Sequence, residues 1–406
     1  STIHAQTFSG PISGAGRLVK DTATSTLTLS GANTFTGGLT VSSGTVDLSG
    51  SLNVSAAQAN VAVGAGSTLT GTGVITAGTL QVAGAGTVNL TGDNRVGTVR
   101  ADGTIGTLRL NNAQSLVAEA ITATGPVTLT APGSTSDITL NGVISSAAPG
   151  NAIVLAAGRR FVNNAGATAL RTTSPGADDR WLVYSNNPND FAFGSLNSNN
   201  NAVWNATFAT LAPTAVTQPG NRYLFAYQQT LTVDATPRTK TYGDTVELTT
   251  GPSTGLNPGV AGAFKADTLA DAVEGGTITL ISDGTVATAP VAVYAINVQQ
   301  RILNGYAVNP GTLTVNRRAI TVAADNKESA YGETDRTFTY TTARFNADGA
   351  GLVNGDTLSG ALETDANERS NVGNYEIRRG TLGEASANYQ IVRFNPGTLT
   401  VGKRQI

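Results

Sequence analysis

The first half of the chain gathers its opposite charges most densely at Asp93, Arg95, Arg100, Asp102 and Arg109. Carboxylates flanked by cations are what acid/base cleavage of a polysaccharide requires: one group gives a proton, one takes it, and fixed positive charge steadies the developing anion. Alternating charge along an exposed ridge also arises from solubility alone, so the grouping by itself selects neither origin. Other chemistry is poorly provided for. The single histidine, His4, lies in a polar stretch near the start, which excludes a histidine-based triad and a multi-histidine metal site. Cysteine is absent, and with it a thiol nucleophile, a cysteine metal centre and any disulfide framework. Gly64-Ala65-Gly66 and Gly71-Thr72-Gly73 have the glycine density of a phosphate loop, but no Gly-Lys-Ser/Thr follows them, and they read as turn glycines. No catalytic residue and no cofactor are expected.

Two further sets of residues invite a ligand. Asp244, Asp267, Glu333 and Asp356 stand at equivalent places in two repeated stretches. Each stretch offers only a pair of acids where calcium takes about six to eight oxygens, so a structural or surface role is expected of them. Trp181, Tyr184, Phe191, Phe193, Trp204, Phe208, Tyr223, Phe225 and Tyr227 crowd into a short segment, whereas only Phe8, Phe35 and Phe161 precede it. Exposed, coplanar rings would make a sugar-stacking platform with Trp181, Tyr184, Trp204 and Tyr223 as its contacts. The same rings, buried, would close the open end of a repetitive fold.

The elements that must hold these residues are short strands. From Leu27 onward one phrase returns, an aliphatic, a usually polar residue and an aliphatic: Leu27-Thr28-Leu29, Leu39-Thr40-Val41, Val46-Asp47-Leu48, Leu80-Gln81-Val82, Val88-Asn89-Leu90 and Leu108-Arg109-Leu110 among them. Period two marks a strand with one buried face, and the Gly, Asn and Ser joins are too short to hold helices. Strands this short argue against an ordinary sandwich, whereas stacked coils bury each aliphatic over the next, so residues from about 20 to 170 are expected to form a solenoid with those aliphatics inward and the middle residues mostly outward. A solenoid end exposes core and strand edges and needs a bulky cap, which is the reading given to residues 171–229.

Composition agrees with this. The 406 residues carry 48 glycines and 6% aromatics, only 13% are charged, and the formal net charge is −2, which excludes a basic footprint for nucleic acid. Methionine is absent even at position 1. No apolar run approaches the roughly 20 residues of a membrane-spanning helix.

The last third repeats at a longer period. Tyr242-Gly243-Asp244 returns as Tyr331-Gly332-Glu333, Asp267-Thr268-Leu269 as Asp356-Thr357-Leu358, and the Asn-Pro-Gly-Thr-Leu-Thr-Val of Asn309 to Val315 as Asn395 to Val401. The offsets run from 86 (309 to 395) to 89 (242 to 331). Val315-Asn316-Arg317-Arg318-Ala319-Ile320 likewise returns as Val401-Gly402-Lys403-Arg404-Gln405-Ile406. Ile320 is therefore expected inside the second repeat, the basic pairs Arg317-Arg318 and Lys403-Arg404 in exposed joints, Ile406 exposed, and a further repeat beginning at residues 402–406. The resulting domains are a rod over 1–170, an aromatic cap over 171–229, and small all-β repeats over 230–316 and 317–401.

These residues resemble known modules. LTLSGANTFTGGLTVSSGTVDLSG, from Leu27 to Gly50, resembles the autotransporter-associated repeat of Gram-negative passengers; RWLVYSNNPND from Arg180 and GNRYLFAYQ from Gly220 resemble the closing region of filamentous-hemagglutinin-like exoproteins. Residues 231 to 401 resemble two tandem MBG domains, most closely through NGDTLSGAL from Asn354 and SNVGNYEI from Ser370; the first departs from the pattern at Ala266-Asp267-Thr268-Leu269. The resemblance implies an all-β right-handed parallel β-helix followed by two small all-β domains. It further implies surface display on a Gram-negative bacterium and a part in adhesion, aggregation or biofilm. The partners implied are an outer-membrane transporter barrel during export, a host or bacterial surface receptor with glycans among the candidates, flanking passenger modules of the same polypeptide, and no nucleic acid. Two-partner secretion is favoured over autotransport by the Arg180 to Gln228 match. A carbohydrate-binding module or a polysaccharide-active enzyme on a β-helix scaffold is the alternative.

Overall fold

The computed structural model describes residues 4–174, 176, 178–236, 238–384 and 386–405, with the side chains of 55–57 and 190 left aside. It is nearly all β, a solenoid of about ten turns followed by small β domains. On one solenoid face the rungs Gln6–Phe8, Thr26–Leu29, Thr45–Leu48, Thr68–Gly71, Thr87–Asp102, Thr107–Asn112, Val127–Ala131, Asn151–Ala157, Arg180–Ser185 and Arg222–Phe225 pair in parallel. Parallel register puts like over like. Leu27, Val46, Leu69, Val88, Leu108, Val127, Ile153 and Trp181 form one inward column, and the aliphatics in it are at most 6% exposed. Each such side chain contributes about 1.5–3 kcal/mol by leaving water. The middle residues Gln81 and Asn89 are half-buried rather than free, because each outward side chain lies against its counterparts in the neighbouring coils.

The second inward column, through Leu48, Leu90, Leu110, Leu129, Leu155, Val183 and Tyr223, has Gly71 in the register of Leu90. Its φ is +151°, and a Cβ there would fall 2.0 Å from the Leu48 carbonyl oxygen, so the backbone passes where no side chain fits. Buried asparagines mark the corners. Asn94 Oδ1 accepts from Ile75 N at 2.8 Å, and its Nδ2 donates to the Gly92 and Asn111 carbonyls. Asn112, its partner in the next coil, does the same for Val96 N and the Val96 and Gln114 carbonyls. A corner leaves backbone groups outside the ladder, and the amide supplies both a donor and an acceptor for them.

The final coils differ from the expected alternation of in and out. Ala152 to Ala157 and Trp181 to Ser185 are buried on both faces, because residues 206–216 lie over the outer face. Tyr184 and Leu224 pack there with Ala206 and Val216, and the Tyr184 hydroxyl donates to the Leu211 carbonyl at 2.9 Å. The last rung is out of chain order: Arg222–Phe225 sits between Arg180–Ser185 and the two-residue strand Ala202–Val203. A strand this short blunts the sheet edge. Within residues 171–229, Arg180–Ser185 and Arg222–Phe225 continue the solenoid as its last rungs.

The chain divides into two compact units, Ser1–Thr230 with Leu256–Ala272 and Ile302–Ala307, and Leu231–Gly255 with Val273–Arg301 and Val308–Ile406. Segments read as part of the first repeat therefore belong with the solenoid. Phe264 and Ala263 join its core, Phe264 lying 5.1 Å from Trp204 and 5.6 Å from Phe225 between ring centroids.

The repeats share one strand plan. Thr249–Thr254, Thr230–Thr236 and Ala307–Asn309 form a sheet in that order, as do Tyr340–Arg344, Arg318–Ala324 and Tyr389–Asn395. Thr312–Asn316 lies between a parallel Thr239–Thr241 and an antiparallel Val293–Ala295, as Gly397–Gly402 lies between Lys327–Ala330 and Gly373–Ile377. Ile320 is fully buried in the second repeat. The expectation for the basic pair fails at one residue: Arg317 is exposed, but Arg318 is only 4% exposed. Ile406 lies outside the described residues.

Candidate functional site

The charged ridge does not assemble an acid/base pair. Asp93 accepts from Asn111 Nδ2 at 3.3 Å, while Asp102 accepts from Gln81 Nε2 at 3.0 Å. Arg100 is held by Gln58 and Gln81, each at 2.7 Å through Nη2, with Glu119 at 3.9 Å. These are rungs of an outer polar ladder, in which each coil's side chain bonds to the next coil's. Arg95 and Arg109 are exposed.

A tighter ion pair joins neighbouring coils at Asp137, which takes Arg159 Nε at 2.8 Å and Nη2 at 2.7 Å, with Arg160 behind. The Arg159 bond holds the Asp137 carboxyl below its usual range, against the smaller opposing effect of burial. A carboxyl lowered in the folded state stabilises the fold above the unfolded value and loses that contribution as pH falls. Acid titration followed by circular dichroism should therefore show stability falling below about pH 4, and Asp137→Asn should remove part of that dependence. An unchanged acid limb in Asp137→Asn would refute the assignment.

The aromatic set is core. Trp181, Tyr184 and Tyr223 are 1%, 2% and 0% exposed, which corrects their expected place in an exposed stacking platform: their rings are packed inside. Trp181 stands 5.1 Å edge-on to Tyr223, and Phe193 meets Tyr223 at 5.2 Å. Burial pushes the Tyr184 hydroxyl up to about 12, as expected for a phenol held for packing. Of the four expected contacts, Trp204 alone keeps part of its surface. It lines an open groove of about 370 Å³ with Asn257, Lys265, Asp267, Asp271 and Asn304, though Phe225 lies 4.9 Å from its ring at a 34° tilt.

Of the four repeat acids, Asp244 and Asp356 bond across the two repeats, while Asp267 and Glu333 bond within their own. Asp356 Oδ2 accepts from the Tyr389 hydroxyl at 2.8 Å and from the Tyr242 hydroxyl of the preceding repeat at 2.8 Å. Asp267 accepts from Tyr306 at 2.7 Å, and burial raises its carboxyl above the usual range. Asp244 receives Arg318 Nη1 at 3.1 Å and Arg344 Nη2 at 2.8 Å. Arg318 also donates to the carbonyls of Gly351, Ala350 and Tyr242. Among the described residues no group of three or more His, Cys, Asp or Glu could hold a metal ion, and no helix is long and apolar enough to cross a membrane.

Residues that organise the molecule thus escaped a reading by chemistry: inward asparagines, Arg318 and Phe264. The asparagines did leave a signal, since Asn94 keeps the inward parity of Leu90 and Val96, and Asn112 that of Leu108 and Leu110.

The fold is a parallel β-solenoid followed by small β domains, which together with the family match that follows fits an adhesin-like passenger. Residues 320–400 match the family described as MBG domain (YGX type), a span that includes Tyr331-Gly332-Glu333. No curated protein and no solved structure matches the chain.

Proposed function

We propose that this chain is a non-catalytic stalk segment of a large secreted surface adhesin of a Gram-negative bacterium, giving reach and attachment. The observation that carries the reading is the unbroken core from Leu27 to Phe225, with the strongest polar side chains spent on linking coil to coil and repeat to repeat. A structure that gains stability by repetition suits reach rather than turnover. The MBG match and the paired strand plan support two tandem MBG modules, the first over 230–316 and the second over 317–401. Export would pass through an outer-membrane barrel, by two-partner secretion on the Arg180 to Gln228 resemblance.

Deleting the coding region in its native cell should reduce attachment or aggregation, and protease added to intact cells should cleave the protein. Full attachment together with protease resistance would refute the reading. Purified protein should cleave no polysaccharide in a mixed panel, and turnover lost in Asp93→Asn or Asp102→Asn would replace the stalk by an enzyme. A carbohydrate-binding reading rests on Trp204 alone at its polar groove; glycan-array binding that Trp204→Phe weakens would support it.

A further inference from the structure

The contact between the two repeats is built from parts that recur, uncovered, one repeat later. At the first joint Tyr242 is 4% exposed: its N–H donates to the Asn316 carbonyl at 2.9 Å, its ring meets Tyr389 edge-on at 5.4 Å, and its hydroxyl reaches Asp356. Gly243, at φ +87°, lets Val353 come so close that a Cβ would lie 2.4 Å from its Cγ2. Arg318 closes the joint through Asp244 and the Gly351 and Ala350 carbonyls.

Most parts of this side have counterparts at the end of the second repeat, although Glu333 is held locally, its Oε2 accepting from Ser329 Oγ and Ala330 N at 3.0 Å, where Asp244 accepts from Arg318 and Arg344. Tyr331 N–H donates to the Gly402 carbonyl at 2.9 Å, as Tyr242 does to Asn316. Gly332 has φ +86°, and Arg404 Nη1 lies 3.7 Å from its Cβ position, where Arg318 lies 3.4 Å from that of Gly243. The backbone and the arginine are already set. What differs is cover: Tyr331 is 44% exposed against 4% for Tyr242, and Arg404 is exposed where Arg318 is buried.

The receiving side also recurs. The Asp356–Tyr389 hydrogen bond is repeated by Asp267 and Tyr306 at 2.7 Å, Asp267 and Phe264 standing 89 positions before Asp356 and Val353 (356 to 267, 353 to 264) and Tyr306 83 before Tyr389 (389 to 306). There the hydrophobic residue is set against Trp204 and Phe225 of the last coils. An aliphatic or aromatic side chain beside a carboxylate–tyrosine pair is thus the constant chemistry of the receiving face.

We propose that Tyr331, Gly332, Glu333 and Arg404 form a docking face for another module of the second repeat's kind. Its occupant brings an aliphatic side chain to Gly332, a carboxylate to the Tyr331 hydroxyl, carbonyls to Arg404 and an arginine to Glu333. Charge complementarity and the occupied precedent at Tyr242 identify it. This inference does not depend on the adhesive function.

The test lengthens the full chain by a second copy of residues 321–406 placed after Ile406, which continues the 86-residue period (320 to 406). Nitration of Tyr331 by tetranitromethane is compared in the two chains. Tyr331 should be protected about tenfold in the longer chain, the ratio of 44% to 4% exposure, and Arg404→Ala should lower the melting midpoint of the longer chain only. Hydrogen exchange reports whether the added copy is folded. A folded copy with Tyr331 as reactive as before overturns the proposal. So does an added copy that stays unfolded although the same sequence folds behind the first repeat, or an Arg404→Ala effect equal in both chains.

Discussion

Replacing Trp181 by alanine is expected to lower the stability of the solenoid unit by about 3–5 kcal/mol, the range for removing a large buried aromatic and leaving a cavity. The ring ends the column that begins at Leu27, directly over Ile153, with Tyr223 at its edge and 1% of its surface exposed. Phe161, Phe193 and Phe225 surround Tyr223 at 6.4, 5.2 and 6.0 Å between ring centroids, so the ring at Trp181's edge is itself packed in place. The Trp181 backbone N–H bond to Asn221 survives the substitution, so the loss reports packing. Denaturant unfolding of the full chain, followed in the solenoid's transition, measures it. An unchanged midpoint would show that the aromatic end contributes nothing to holding the coils.

Arg318→Ala is expected to destabilise the second unit by about 3 kcal/mol, at the lower end for breaking a buried ion pair, since Asp244 keeps Arg344 and is about a third exposed. The substitution also strands the Gly351 and Ala350 carbonyls, which are bonded to the guanidinium fork. Arg318→Lys should recover only part of the loss, because a lysine cannot serve carboxylate and carbonyls from one rigid plane. Arg404→Ala in the present chain is the matched control and should leave the midpoint unchanged. Equal effects at 318 and 404 would mean that burial at the joint has no energetic consequence.

The solenoid was legible because parallel stacking rewards sameness. Leu80, Val82, Val88 and Leu90 are buried as their spacing predicts. Where the sequence was misread, the cause is a partner distant in the chain. Arg318 looks like a solvated charge until Gly351 and Ala350 fold over it. Phe264 looks like repeat interior until the last coils present Trp204 to it. The outer layer over Tyr184 was announced by Ala152-Ile153-Val154-Leu155-Ala156-Ala157, an unbroken apolar run that signals a strand buried on both faces. The repeat acids stand at equivalent places in the sequence, but their partners differ, Asp356 accepting from Tyr242 of the preceding repeat and Glu333 from Ser329 beside it.

The out-of-order rung has a consequence for the sequence of events in folding. Through most of the solenoid a rung waits for one further coil, as when Val88 finds Leu108 twenty positions on (88 to 108). Leu182 must wait for Arg222, forty positions on (182 to 222), and Ala202–Val203 cannot take its place until that strand arrives. Long-range pairings form more slowly than local ones. A chain delivered from its N-terminus would therefore zip coil by coil and then pause, its growing edge at residues 180–185 still open, until residues 222–225 paired with it and residues 202–203 closed over them.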